Sequence, residues 1–372
     1  MKVPFLDLRL NYQSVKEEIN KEIQEVLDTA GYILGPKVEA FEARFAEAHQ
    51  AKHAIGVSSG TDGNHLALWA LGVGPGDEVI MPANTFIATA WGITLTGATP
   101  VFVDCDPLTY NIDPAMVEKA ITTKTRAIIA VHLYGNPANM DGLRDLAVAN
   151  NIFLIEDAAQ AHLAQFKGQM VGGLGEISSF SFYPGKNLGA YGEGGAVLTN
   201  NDELAVKVKM IRDQGQAKKY HHHSYGHNYR MEAIQGAVLG VKLKYLEEWT
   251  RMRRMIADKY NENLNNLDGI FLPTETAGGR HVYHLYVIQT EDRDGMKNYL
   301  DGKGIVSGLH YPIPIHMQKC FQSLGYRKGD FPVTEQLADR CLSLPMFPEM
   351  TTEQVQYVSE NVRLFATQKA TI

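Results

Sequence analysis

Asn151-Ile152-Phe153-Leu154-Ile155-Glu156-Asp157 runs four consecutive apolar residues into a pair of carboxylates. Such a run reads as a strand buried on both faces. Working outward, the same signature recurs in Ala54-Ile55-Gly56-Val57, Glu78-Val79-Ile80-Met81, Pro100-Val101-Phe102-Val103 and Ala127-Ile128-Ile129-Ala130-Val131. It returns in Ile177-Ser178-Ser179-Phe180-Ser181-Phe182 and Gly195-Ala196-Val197-Leu198. Helix-like segments separate these runs. Seven strands alternating with helices imply an α/β fold, its mostly parallel sheet covered on both faces and its crossovers right-handed.

The flanks differ. Val15, Ile19, Ile23, Val26 and Leu27 recur at helical spacing among Lys and Glu, which marks an amphipathic N-terminal helix. Val38, Phe41 and Phe45 mark a second helix. A long helix is expected over Ala233–Arg254, with Ile234, Val238, Val241, Leu243 and Leu246 as its buried stripe. Beyond Leu267 a strand over Val282–Ile288 and helices over Asp294–Lys303 and Thr352–Phe365 indicate a smaller α+β domain. The expected division is an N-terminal helical segment (1–30), a large α/β domain (31–245) and a small C-terminal α+β domain (246–372). The formal net charge of −7 argues against a general affinity for nucleic acid or anionic membranes. The three cysteines, Cys105, Cys320 and Cys341, are widely spaced with no CxxC pair, which reads as reduced thiols in a cytoplasmic protein. No signal-peptide apolar core opens the chain, and no apolar run approaches the roughly 20 residues of a membrane helix.

Three features carry chemistry. Asp157 ends a buried strand, where ligands of open α/β sheets lie. The competing reading is a cap for a helix over Ala158–His162. Glu156 points to the opposite face. Lys186 sits in Ser178-Ser179-Phe180-Ser181-Phe182-Tyr183-Pro184-Gly185-Lys186-Asn187-Leu188-Gly189, among aromatic residues, a proline and glycines rather than solvated charges. Ser58-Ser59-Gly60-Thr61-Asp62-Gly63-Asn64 opens a helix after the first strand and offers free N–H groups to a phosphate; a plain N-capping turn is the alternative. The Gly185-Lys186 pair is not a Walker A loop, since Phe180 and Asn187 stand where Gly and Ser or Thr are required. Gly189–Gly194 precedes a strand, so it is not a Rossmann fingerprint. A lysine on a turn and an acid at a strand end suit pyridoxal phosphate, whose aldehyde needs an amine and whose ring nitrogen needs an anion.

With Glu156-Asp157-Ala158-Ala159-Gln160-Ala161-His162, Gly192-Glu193-Gly194-Gly195, Pro4-Phe5-Leu6-Asp7-Leu8 and Tyr32-Ile33-Leu34-Gly35-Pro36, these stretches resemble the DegT/DnrJ/StrS sugar-nucleotide aminotransferases along essentially the whole chain. The resemblance implies the aspartate-aminotransferase-like fold (fold type I), with a seven-stranded sheet. It implies that Lys186 bonds to the cofactor aldehyde and shuttles a proton, that Asp157 binds the pyridine nitrogen and Gln160 the ring hydroxyl. Gly60, Thr61 and Ser181 would hold the phosphate, and Phe86 would stack on the ring. Asn228 would reach the phosphate from the second subunit of a homodimer with shared active sites. His162-Leu163-Ala164 departs from the family's usual His-Gly-Ala.

Tyr183, His310, Tyr311 and Arg230 are candidates for the substrate. No metal site is expected: His221-His222-His223 cannot all face one ion from regular structure. The resemblance implies transfer of an amino group from glutamate, through pyridoxamine phosphate, to C-3 of a dTDP-linked 3-keto-6-deoxyhexose. C-4 amination and a UDP-linked 3-keto substrate stay open. A sugar dehydratase on this scaffold would carry histidine in place of Lys186. A non-catalytic regulator would lack the lysine, the aspartate or the phosphate cup.

Overall fold

The computed structural model describes residues 1–369; the last three residues of the expected C-terminal domain lie outside it. Five strands come first: β1 (His53–Val57), β2 (Glu78–Pro82), β3 (Thr99–Val103), β4 (Thr125–Val131) and β5 (Phe153–Asp157). A short hairpin, β6 (Gln165–Phe166) and β7 (Gln169–Met170), precedes β8 (Ile177–Ser181) and β9 (Gly195–Thr199). Strands β1 to β5, β8 and β9 form one seven-stranded sheet in the order β1-β9-β8-β5-β4-β2-β3. The pairs from β8 to β3 are parallel, and β9 runs antiparallel to both its neighbours. All seven expected strands are there. Their side chains alternate between two cores. Ile55, Val79, Met81, Ile129, Ile155 and Val197 enter one, while Ile80, Val103, Ile128, Ala130 and Leu154 enter the other. Burial on both faces is why these strands read as continuous apolar runs.

Helix α1 (Leu8–Thr29) starts where Asp7 accepts the Arg9 N–H and ends at Ala30 in the left-handed region. Val15, Ile19 and Val26 face inward as expected, but Leu27 is 46% exposed. Helix α2 (Pro36–Ala48) has proline at its first position and buries Val38, Phe41 and Phe45. Helix α3 (Gly60–Ala70) follows β1.

The expected long helix over 233–254 is broken. It runs Ala233–Lys242, tightens into a 3₁₀ turn over Leu243–Tyr245, and resumes over Leu246–Leu264. Lys244 and the Tyr245 hydroxyl both bond to Glu18 of α1 at this turn, a tertiary pull that local propensity does not register. The expected strand over 282–288 begins only at Tyr286 and runs to Thr290. Upstream, backbone groups go elsewhere. The Tyr283 N–H donates to His281 Nδ1, Arg253 Nη1 takes the Tyr283 carbonyl, and the Val282 N–H donates to the Gly135 carbonyl. Strand Tyr286–Thr290 pairs with Ile270–Phe271 and Cys341–Leu344 in a separate antiparallel sheet, covered by the helices Arg293–Gly302 and Thr352–Lys369. No helix among the described residues is long and apolar enough to cross a membrane.

Candidate active site

Strand β5 places Glu156 and Asp157 on opposite faces. Glu156, fully buried, accepts the N–H groups of Gly172, Leu174 and Gly175 at 2.8 Å and lies 3.1 Å from His132 Nε2. Burial alone would raise its pKa. His132 and the backbone donors outweigh that and hold it below the ordinary value. Asp157 turns instead toward a cavity of about 660 Å³ at the carboxyl ends of the parallel strands. Its Oδ2 accepts from Asn64 Nδ2 at 2.9 Å and from Thr89 Oγ1 at 2.7 Å. Its Oδ1 takes only the Ala159 N–H, at 3.2 Å, so that oxygen keeps acceptor capacity for a donor in the cavity.

Lys186 lines the same cavity, on the turn after β8. Among the described residues its amine has no hydrogen-bond or ion-pair partner. Removal from water lowers its pKa to about 8, against an opposing pull from the Asp157 carboxylate. The cup lies at the start of α3. Ser59 caps the helix by accepting the Asp62 N–H at 3.1 Å, while the first-turn N–H groups of Gly60 and Thr61 lack intrahelical acceptors. A Cβ on Gly60 would fall 2.7 Å from the Ser181 Cβ, and one on Gly63 would fall 2.4 Å from the Ser179 Oγ. Glycine at both positions lets the helix start lie against β8, which brings Ser181 beside the free amides. The capping turn and the anion cup are thus one structure.

This arrangement fits pyridoxal phosphate. An acid with a free acceptor, a partly desolvated amine, an anion cup and a half-exposed aromatic ring face one volume. Phe86 is 51% exposed, and its centroid lies 5.5 Å from that of Tyr311. Gln160, Tyr183, His310 and Tyr311 also line the cavity. Gln160 Nε2 donates to the Tyr311 hydroxyl at 3.0 Å, and His310 Nδ1 lies 2.8 Å from Ser343 Oγ. Burial and then Lys186 lower the His310 pKa to about 4. Two candidates stand apart. Asn228 lies on an exposed segment bridged to Asp213, and Arg230 Nη1 pairs with Asp213 Oδ1 at 2.6 Å. Neither lines this chain's cavity. The histidine tract is an exposed hairpin edge.

Sequence reasoning missed Asn64, Thr89 and His284. His284 lines the cavity, its Nδ1 3.3 Å from Asn187 Oδ1. Burial and then the Lys186 amine hold it well below the ordinary histidine value. Asn64 closes the stretch that opens the helix after β1, and Thr89 lies three residues past Phe86; their polarity at helix positions facing the sheet was the available signal.

The family described as the DegT/DnrJ/EryC1/StrS aminotransferase family matches residues 13–363. The chain is 48% identical to a pleiotropic regulatory protein of Geobacillus stearothermophilus, over 98% of this chain and 99% of that one. It is 44% identical to dTDP-3-amino-3,4,6-trideoxy-alpha-D-glucose transaminase of Streptomyces venezuelae, over 98% and 96%. The X-ray structure of S. venezuelae DesV in complex with a ketimine intermediate superposes with a TM-score of 0.97 at 44% identity, over 98% of each chain.

Proposed function

The chain belongs to the DegT/DnrJ/EryC1/StrS aminotransferase family, and on that premise we propose that this pyridoxal phosphate-dependent aminotransferase moves an amino group from glutamate to C-3 of a dTDP-linked 3-keto-6-deoxy sugar. The observation that carries the reading is the single cavity shared by Lys186, Asp157 and the Gly60-Thr61-Ser181 cup. The transaminase of S. venezuelae, named for a dTDP-3-amino sugar, supports the carbon and the nucleotide. The relative named as a regulatory protein is similar over its full length, but this chain keeps the lysine, the acid and the cup that catalysis needs.

When bound, the cofactor supplies an aldehyde for the amino group and an electron-withdrawing ring. Asp157 would hold the ring nitrogen's proton through the remaining acceptor capacity of its Oδ1, while Asn64 and Thr89 fix the carboxylate from behind. Gly60, Thr61 and Ser181 would hold the phosphate and so fix the register of the ring. Lys186 Nζ, with its pKa near 8, has a neutral fraction near neutral pH. It can take a proton from one carbon in the cavity and deliver it to a second, two bonds away. His310, Tyr311 and Tyr183 would orient the sugar. In a homodimer with shared sites, Asn228 and Arg230 would face the second copy's cavity, consistent with their place outside their own.

The test is turnover of paired 3-keto and 4-keto sugars, each dTDP- and UDP-linked, with glutamate as donor and product regiochemistry read by NMR. The expected result is a 3-amino dTDP-sugar, with turnover lost in Lys186→Ala. Exclusive use of a 4-keto or UDP-linked compound would overturn the assignment.

A further inference from the structure

Gln160, on the cofactor side, and the His310-Tyr311 segment, on the substrate side, are joined by a residue outside every motif. Tyr134 follows β4 in the turn Leu133–Gly135, buried, with φ at 59°. Its backbone N–H donates to Gln160 Oε1 at 2.7 Å. That bond fixes which end of the amide is which. The Gln160 Nε2 must then face the other way, where it donates to the Tyr311 hydroxyl at 3.0 Å. One Nε2 hydrogen remains for a second acceptor. The Tyr311 oxygen accepts, so its own hydrogen is left for another acceptor, and no described residue supplies one. At the far end the Tyr134 hydroxyl donates to the His310 carbonyl. The ring closes through the His310–Tyr311 peptide. Tyr134 is itself held at both ends, since its carbonyl accepts the Leu285 N–H.

We propose that Tyr134 is a positioning residue, whose hydroxyl sets His310 and Tyr311 against the keto sugar while its backbone N–H sets Gln160 against the cofactor. Removing the hydroxyl alone then loosens the substrate wall and spares the cofactor wall. The kinetic arm of this inference rests on the substrate reading above.

Tyr134→Phe keeps the ring and the backbone N–H, so it isolates the hydroxyl. Two measurements on the full-length protein test it. Hydrogen–deuterium exchange of a peptide spanning 308–316 should speed about five- to tenfold, the loss of one hydrogen bond, with peptides over 60–65 and 157–160 unchanged. KM for the keto sugar should rise about tenfold, while KM for the amino donor and cofactor affinity stay within about twofold. Unchanged exchange over 308–316, or an equal rise in both KM values, would overturn the inference. If the wild-type chain turned over no keto sugar, the substrate reading would fail, and the exchange measurement would still decide the role of Tyr134.

Discussion

Lys186 owes its chemistry to what surrounds it, and the consequence is measurable without cofactor. Its pKa near 8 in the folded chain lies below the ordinary 10.5. Between those values the unfolded chain holds more protons, so the stability of the cofactor-free protein rises with pH across that window. Below pH 8 the penalty of burying the ammonium is fully present, roughly 3 kcal/mol. Lys186→Met should therefore be the more stable protein at pH 7 by up to about that much, and its advantage should shrink by pH 9.5; urea unfolding of both proteins at the two pH values checks this, and an equal gap at both would show a solvated lysine. Thr89 acts on the other side. Thr89→Val removes one of the two side-chain donors on Asp157 Oδ2, and cofactor affinity should fall about tenfold in a titration. Lys186 and Asp157 were legible because their neighbours in sequence are unusual for a surface lysine or a simple cap. Thr89 and Asn64 were not, because their partner lies 68 and 93 residues away. Tyr134 was hidden for the same reason.

At the scale of the element, β5 shows how one strand separates two identical charges. The period of two sends Asp157 to the cavity and Glu156 into a closed set of backbone donors. Glu156→Gln would turn an amide toward N–H groups that need an acceptor, and should cost about 2–3 kcal/mol at pH 7. The folded Glu156 pKa is depressed, so its contribution is complete above the unfolded value near 4.5 and is lost as pH falls through the folded one. The gap between wild type and variant should be full at pH 6 and reduced below pH 4, read from urea midpoints. Strands of this kind were legible because burial on both faces leaves a continuous apolar run. The break at Leu243–Tyr245 was not, because no Pro or Gly falls within it and Glu18, which holds it, is on another helix. Val282–Leu285 alternated like a strand, yet side chains of Arg253 and His281 took up its backbone groups.

For the whole molecule, the placement of Asn228 and Arg230 raises the question of how many chains make one site. Both sit outside the cavity that holds Lys186, on a segment where Tyr220 and Tyr225 are 80% and 90% exposed. Large aromatic rings left to water at that density are what an interface covers. If a second copy covers them, each site takes its lysine from one chain and Asn228 from the other. Lys186→Ala and Asn228→Asp would then each inactivate a homodimer, the second by setting a carboxylate beside the cofactor phosphate. Co-expressed, they form heterodimers in which one site carries both defects and the other carries none. With random pairing, half the dimers are mixed and each has one intact site, so the population should recover about a quarter of wild-type activity. Sites built from a single chain would instead leave the Lys186→Ala half of every mixed dimer dead and the Asn228→Asp half as weak as its parent, with no activity above the mean of the two variants.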